Sequence, residues 1–375
     1  MTPRPYQYEA IEAGIRHFNE KCKEHAICIL PTGAGKSVVI SQIVDKVGGC
    51  FIVLQPNKEI LEQNIKKYRD LGNEASIYSA IMNERIKSKV TFATIGSIIS
   101  NLKIFEDVKQ IIIDECHLVN GSKGMYEFFL NGIKDLVCIG LTATPYRLKA
   151  TGGAAILEFL TRMRPNFFKK VIHVTQQKEL IEAGFLAPIK FKLKGQINIE
   201  KVLRKGNEYE ENSLRQELDR IRIEDLIISE IEEHEESRKA ILVFVEFVEI
   251  LNKIQEKRPD IKAVTGKTPP EERAKILEGF KSGKIKIVAN VGVLTTGFDF
   301  PELDTILVAK ATRSLSLWYQ IIGRGQRIAE GKKDCLVVDM CGNMSVLGNI
   351  EKLIVKETEG KWIVTNNTIT TNKAF

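Results

Sequence analysis

The sequence has no C-x-x-C pair, no long apolar run and no leader-like start, and each absence excludes a class of protein. Seven cysteines lie scattered at positions 22, 28, 50, 116, 138, 335 and 341. Without paired spacings neither a zinc ribbon nor a disulfide framework is expected. An odd number of mostly strand-embedded thiols suits a reducing cytoplasm. Met1-Thr2-Pro3-Arg4-Pro5-Tyr6 has no apolar core behind it, so no signal peptide is expected. The longest apolar stretch, residues 240–251, is short and broken by Glu246 and Glu249, which excludes a transmembrane helix. The expectation is a cytoplasmic protein with no membrane partner and no zinc. No nuclease constellation is evident either.

What is present is enough for two domains. The chain has 375 residues, of which 43% are hydrophobic, so each domain can bury its own core. Charge is 55 basic against 48 acidic residues, a net +7. That excess permits a polyanionic partner without requiring one.

The chain is organised around Leu30-Pro31-Thr32-Gly33-Ala34-Gly35-Lys36-Ser37. An apolar run, residues 26–30, leads in, and Val38-Val39-Ile40 follows as the first turn of a helix. A buried strand, a glycine turn and a helix N-terminus make a phosphate cradle. Lys36 is expected to reach the β- and γ-phosphates, and Ser37 to offer its hydroxyl to Mg²⁺. Leu30 stands where the general pattern asks for glycine. Upstream, Arg4-Pro5-Tyr6-Gln7 precedes an amphipathic helix with Tyr8, Ile11, Ile15 and Phe18 on one face. On the residues alone, Gln7 reads as solvent-facing, although its amide carries the donor and acceptor an adenine edge needs.

Beyond the loop, short apolar strands alternate with helical segments, the signature of a parallel sheet wrapped by helices. Strands are expected at residues 51–54, 90–93, 110–113 and 137–141. Polar clusters follow at their carboxyl ends, where such sheets bind ligands. Asp114, directly after three isoleucines, is placed to hold Mg²⁺, and Glu115 to orient and deprotonate an attacking water. The plainer alternative is that Asp114-Glu115 caps the next helix.

From Lys149 to Pro188 the strand signal fades, with a loop at Thr151-Gly152-Gly153 and a helix over residues 176–184. A basic stretch follows, Lys190, Lys192, Lys194, Lys201, Arg204 and Lys205. It could track a phosphate backbone or be a solvated face. A second α/β unit then carries strands at residues 241–245, 263–266, 285–289, 305–309 and 335–339, without a second phosphate loop. Its notable stretches are Leu294 to Pro301 and Tyr319 to Arg327. On a helix, Arg324 and Arg327 share a face and could neutralise charge on a γ-phosphate. Phe247, Trp318 and Tyr319 could stack on bases, with core packing the plainer reading.

Pro31 to Ser37, Asp114-Glu115-Cys116-His117, Thr142-Ala143-Thr144, Ile241 to Glu246, Leu294 to Pro301 and Tyr319 to Arg327 together resemble motifs I to VI of superfamily 2 helicases. Within that superfamily the chain looks most like the RadD-like group of DNA-repair helicases, over roughly Arg4 to Asn343. That group has a cysteine-rich, zinc-binding-like C-terminal region, of which residues 346–375 carry no sign.

The resemblance implies an α/β fold of two tandem RecA-like parallel-sheet lobes with a short tail: 1–186, 187–345 and 346–375, the last a possible hairpin around Glu359-Gly360. It implies an ATP hydrolase using ATP and Mg²⁺, in which Lys36, Asp114, Glu115, Arg324 and Arg327 are catalytic. Arg4, Gln7, Pro31, Thr32, Gly33, Ala34, Gly35, Lys36, Ser37, Gly297 and Asp299 would contact the nucleotide, with Ser37 and Asp114 on the metal. His117, Thr142, Thr144 and Gln320 would couple ATP to the nucleic acid. Pro56, Asn57, Lys58, Thr94, Gly96, Ser97, Thr265, Gly266, Thr295 and Thr296 would contact its backbone. The expected activity is that of a DNA helicase or translocase on single-stranded or branched DNA, in repair, recombination or replication. A restriction-complex motor, an RNA helicase and an ATP-switched clamp remain open beside it.

Overall fold

The computed structural model describes residues 2–20, 24–119, 125–133, 135–151, 154–194, 197–295 and 297–372. Two compact units emerge. The first comprises Met1–Arg147, Glu158–Gln177 and Val355–Val364; the second comprises Leu148–Leu157, Lys178–Ile354 and Thr365–Phe375.

The first unit runs α1 (Pro5–Asn19), β1 (His25–Ile29), α2 (Lys36–Val47), β2 (Phe51–Gln55), α3 (Lys58–Arg69), β3 (Ser76–Ser79), β4 (Glu84–Arg85), β5 (Val90–Thr94), α4 (Ile95–Ile99), β6 (Gln110–Asp114), α5 (Met125–Gly132) and β7 (Val137–Thr142). A ribbon of β8 (Tyr146–Thr151) and β9 (Ala154–Phe159), most of which (Leu148–Leu157) belongs to the second unit, precedes β10 (Phe168–Val174) of the first. The eight-stranded sheet has the order β10-β1-β7-β6-β2-β5-β3-β4. Its pairings are parallel except β3 with β4. β2 and β5 are buried throughout, as the apolar run of a strand covered on both faces demands. α1 opens on Pro5, whose fixed φ suits a first helical turn. Its buried face is Tyr6, Gln7, Ala10, Ile11, Gly14, His17 and Phe18. Tyr8, expected on that face, is instead 52% exposed. The helix rotates so that Gly14 meets α2, where an added Cβ would lie 2.5 Å from Ile43 Cδ1.

The second unit runs α6 (Gln177–Glu182), β11 (Ile189–Leu193), β12 (Arg204–Lys205), β13 (Glu208–Tyr209), α7 (Glu211–Arg220), α8 (Ile223–His234), β14 (Ile241–Val245), α9 (Val248–Lys257), β15 (Lys262–Thr265), α10 (Pro270–Lys281), β16 (Ile287–Val291), β17 (Thr305–Ala309), α11 (Leu315–Gly323), β18 (Cys335–Asp339) and α12 (Asn343–Leu347). Its six-stranded sheet, β11-β18-β17-β14-β16-β15, is parallel throughout. Leu218, Ile227, Ile231, Val243, Ile254, Leu307 and Val338 share one core on it. The chain is thus an α/β protein of two parallel-sheet lobes. A hairpin follows, β19 (Ile354–Thr358) and β20 (Lys361–Thr365), turning at Glu359 (φ 50°) and Gly360 (φ 68°). Two successive positive φ values match the right-handed twist of a tight hairpin. The Gln176 amide donates to Val355 O and accepts from Val355 N, both within the first unit.

Several expectations need correction. β10 lies inside the stretch where the strand signal fades, and β16 begins two residues later than expected. Gly152 and Gly153 lie outside the described residues. Three lysines of the basic stretch are neutralised: Lys192 and Lys194 bind the fully buried Glu230 at 2.8 and 2.6 Å, and Lys190 binds Asp334 at 2.6 Å. A buried carboxylate requires such partners. Of the described cysteines, only Cys28, Cys138 and Cys335 lie in strands.

Candidate nucleotide-binding site

In the first unit, β1 delivers the chain to the loop at Leu30, whose N–H donates to Thr142 O at 3.1 Å. Leu30 is fully buried, so its side chain extends the core where the general pattern has glycine. Gly33 (φ 82°) and Gly35 (φ 80°) both take the left-handed conformation, and a Cβ on Gly35 would sit 2.4 Å from Gln7 Nε2. α2 starts at Lys36, and no side chain among the described residues caps it at Gly35. Its first N–H groups and dipole favour an anion there. Pro31, Thr32 and Ala34 are buried in the turn.

Gln7 is not solvent-facing. It is 6% exposed, its Nε2 donates to Ala34 O at 2.8 Å, and its Oε1 accepts from Arg4 N at 2.9 Å. Tyr6, not anticipated from the sequence, donates its hydroxyl to the same Ala34 O at 3.0 Å, and Arg4 Nη1 lies 3.4 Å from that hydroxyl. Arg4, Tyr6 and Gln7 therefore buttress the phosphate loop from one side.

Asp114 ends β6 and Glu115 follows in the left-handed region, φ 50°, a costly conformation for a non-glycine residue. That turn brings Glu115 Oε1 to 3.2 Å from Lys36 Nζ and Oε2 to 3.4 Å from His117 Nδ1. Gly140 makes room for it, since a Cβ there would lie 2.5 Å from Cys116 Cβ. Asp114 Oδ1 accepts from Glu115 N at 2.9 Å, and Oδ2 from Asn64 Nδ2 at 2.9 Å. Asn64 was not legible in the sequence. His117 Nδ1 lies 3.0 Å from Thr142 Oγ1, which also accepts from Thr144 N at 3.0 Å. Lys36, Asp114, Glu115, His117, Thr142 and Thr144 thus form one connected cluster.

Burial and the neighbouring Glu115 push the Asp114 carboxyl up to about 6. Burial also pushes Glu115 up, but Lys36 and His117 outweigh it and hold Glu115 well below the usual carboxylate range. Two buried carboxyls against one lysine leave hard-oxygen donors short of positive charge. With the Ser37 hydroxyl they form a donor set that fits Mg²⁺.

In the second unit, the two arginines do not share a helical face. α11 ends at Gly323, because Gly325 passes so close to β18 that a Cβ would lie 2.3 Å from Cys335 Sγ. Arg324 donates to Thr295 O (3.1 and 2.7 Å) and Phe298 O (2.8 Å), and Arg327 pairs with Asp299. Lys332, another residue the sequence reading missed, donates to Pro301 O, Gly325 O and Arg327 O at 2.7–2.9 Å. Gly297 (φ 75°) gives the loop its turn, and Gln320 lies partly buried on α11. Trp318 and Tyr319 pack in the core, and Arg215 covers the Phe247 ring at 4.1 Å.

The described residues expected to contact nucleic acid lie at or after the carboxyl ends of strands. Pro56, Asn57 and Lys58 join β2 to α3, with Asn57 Oδ1 capping Ile60 N at 2.9 Å. Thr94, Gly96 and Ser97 follow β5; Gly96 is exposed, and the Thr94 and Ser97 hydroxyls bond each other at 2.9 Å. Thr265 and Gly266 end β15, where a Cβ on Gly266 would meet nothing within 4 Å. Thr296 lies outside the described residues.

Residues 1–147 match the family described as type III restriction enzyme, res subunit, and residues 221–329 match the helicase conserved C-terminal domain. The chain is 28% identical over 372 residues to a Schizosaccharomyces pombe protein provisionally named mitochondrial ATP-dependent helicase irc3, covering 91% of this chain and 57% of the relative. Among solved structures it is similar to a fragment provisionally assigned as the HsdR subunit of a type I restriction enzyme from Vibrio vulnificus YJ016. That match has a TM-score of 0.69 and 22% identity, over 92% of this chain and 66% of the other. The DNA-bound type ISP restriction-modification enzyme LlaBIII matches with a TM-score of 0.65 and 17% identity, over 90% and 27%. The chain spans 66%, 52% and 57% of the length of three curated relatives it matches. The type III restriction res-subunit match and the helicase C-terminal match, in this order on two parallel-sheet lobes, support the superfamily 2 helicase resemblance.

Proposed function

We propose that this chain is an ATP-driven DNA motor, a helicase or translocase that acts on single-stranded or branched DNA. The observation that carries the reading is the cluster joining Lys36, Asp114, Glu115, His117 and Thr142 through contacts of 2.9–3.4 Å beside the glycine turn. Lys36 and the α2 N-terminus bind the phosphates. Ionised Glu115 orients and deprotonates the attacking water, which its depressed pKa permits at neutral pH. Ser37 and Asp114 hold Mg²⁺, which when bound neutralises phosphate charge. Arg324 and Arg327 supply further positive charge to the γ-phosphate, and such arginines are typically worth ~10³–10⁵ in rate. His117, Thr142, Thr144 and Gln320 relay the state of the ATP site. Pro56, Asn57, Lys58, Thr94, Gly96, Ser97, Thr265, Gly266, Thr295 and Thr296 hold the strand by its backbone, fixing register without reading sequence. The RadD-like resemblance supports a role in DNA repair, recombination or replication.

The test is ATP turnover with single-stranded, duplex, forked and RNA ligands, followed by strand displacement. Lys36→Ala and Glu115→Gln are expected to abolish strand-stimulated hydrolysis. An Arg324→Ala protein with normal turnover would remove that arginine from the mechanism, and preferential stimulation by RNA would move the substrate from DNA to RNA. A motor serving a restriction system is the second reading, favoured by the family matched over residues 1–147. Co-purification with a methylase or nuclease subunit would select it.

A further inference from the structure

One buried polar side chain in the first unit has no part in the site described above. Gln55, the last residue of β2, is fully buried, and neither its Oε1 nor its Nε2 meets a hydrogen-bond partner among the described residues. A buried amide without partners is costly. At the end of a strand that is otherwise Phe51-Ile52-Val53-Leu54, an apolar residue would pack at no such cost.

Strand register says what Gln55 lies beside. On one flank it pairs with Thr94 of β5. On the other, Leu54 pairs with Ile113 of β6, so the next step sets Gln55 level with Asp114. Residues level with one another on paired strands point to the same face of a sheet. Thr94, Gln55 and Asp114 therefore form a polar row across three adjacent strands. Strand spacing is about 4.8 Å, so the row is about 10 Å long, and Gln55 is its middle member.

The hydrogen-bonding capacities along the row can run in one direction. Ala80 N donates to Ser97 Oγ at 2.8 Å, and Ser97 Oγ lies 2.9 Å from Thr94 Oγ1, where either hydroxyl can donate; with Ser97 as the donor, the Thr94 proton is left for a further acceptor. Gln55 makes neither contact within hydrogen-bond distance in this structure, but its neighbours in the row have the matching chemistry: the Thr94 hydroxyl can donate to Oε1, and the Asp114 carboxylate, which accepts from Asn64 Nδ2 and Glu115 N, can accept from Nε2. An amide is the side chain that can accept on one side and donate on the other.

We propose that Gln55 is a positioning residue that couples the Asp114 carboxylate to the Thr94–Ser97 turn, so that engagement of a nucleic-acid strand at the turn shifts the carboxylate of the ATP site. The inference rests on the reading of Asp114 as the metal carboxylate and of Thr94 and Ser97 as strand contacts. The experiment compares the full chain with Gln55→Leu and Gln55→Met, which keep the side-chain bulk and remove both amide atoms. Three quantities are measured: thermal midpoint, kcat and KM for ATP with and without oligothymidylate, and oligothymidylate affinity with and without a non-hydrolysable ATP analogue.

The expected result is an unchanged or higher thermal midpoint, an unchanged KM for ATP, and oligothymidylate-stimulated kcat lowered about tenfold. Because coupling is reciprocal, the effect of the analogue on oligothymidylate affinity shrinks by a similar factor. Stimulation and affinity coupling equal to the unaltered chain would overturn the proposal and leave the functional reading intact. A lowered midpoint with raised KM in both variants would make Gln55 a residue of the fold alone and also overturn it. An unaltered chain that oligothymidylate neither stimulates nor binds would overturn the functional reading itself, and the inference with it.

Discussion

At the scale of single residues, the second-unit cluster depends on one ammonium group. Lys332 places its three N–H bonds on the carbonyls of Pro301, Gly325 and Arg327. It thereby ties the loop after Asp299 to the segment bearing Arg324 and Arg327. Hydrogen bonds from a charged donor each contribute about 1.5–3 kcal/mol, and the carbonyls left behind lose a partly buried partner. Lys332→Met should therefore destabilise the second unit by about 4.5 kcal/mol or more in urea unfolding, three bonds at the low end of that range. Lys332→Arg should not restore the loss, because a planar guanidinium cannot bring three donors to one point. Equal stability of Lys332→Arg and the unaltered chain would contradict this. The residue scale is also where the sequence was least legible. Asp114 and Glu115 stand out because they follow three isoleucines, and Lys36 because it follows two glycines. Asn64 and Tyr6 do not, since each sits within an ordinary amphipathic helix. Only the contacts to Asp114, 50 residues on, and to Ala34, 28 residues on, give them a role. Gln7 looked solvent-facing for the same reason.

At the scale of elements, the central strands were readable because parallel strands buried on both faces are written as continuous apolar runs. β10 was not, because its sequence, Phe168-Lys-Lys-Val-Ile-His-Val, is that of an edge strand with only Phe168 fully buried. α11 ended earlier than the pair of arginines suggested, because the approach of Gly325 to β18 could not be seen from spacing. β7 is tightly constrained at Gly140. A Cβ there would meet Cys116 Cβ at 2.5 Å, Cys116 Sγ at 2.6 Å and Phe168 Cζ at 2.8 Å, so β7, the turn after Glu115 and β10 press on one point. Gly140→Ala should destabilise the first unit by about 1–3 kcal/mol, the usual range for overpacking. It should also lower ATP turnover more than it raises KM, because the displaced Cys116 adjoins Glu115. Shrinking the obstacle with Cys116→Ala in the same chain should recover part of both losses. A double variant no better than Gly140→Ala would assign the clash to Cys116 Cβ and Phe168 Cζ, which the second substitution leaves in place.

At the scale of the whole molecule, acid should unfold the two units unequally, because four of the five histidines belong to the first and burial, full or partial, lowers the pKa of three of them. Burial, with Lys170 adding to it, pulls His17 down to about 4; burial, with Lys169 adding, pulls His25 down to about 4; burial also lowers His173. In the unfolded chain each titrates near 6.5. Between pH 6.5 and 4 the unfolded chain therefore binds more protons than the folded one, and stability falls as pH falls. Asp114 works in the opposite sense: with its folded pKa raised to about 6, it takes up a proton in the folded state first and offsets about one histidine. The net loss by pH 4 is on the order of 4 kcal/mol. In the second unit, carboxyls held low in the fold contribute stability above the ordinary carboxylate range and lose it only as pH falls below about 4.5. Glu217, held at about 2 chiefly by its hydrogen bond with Arg220, and Asp334 are of this kind. Thermal scans at pH 7 and pH 5 should thus move the first unit's transition down while leaving the second nearly in place. Replacing His17 with Leu and His25 with Phe, which keeps the stacking on Phe167 at 4.2 Å, should flatten the pH dependence of the first transition. If the doubly substituted chain loses stability between pH 7 and pH 5 as steeply as the unaltered one, the buried histidines are not the groups that titrate.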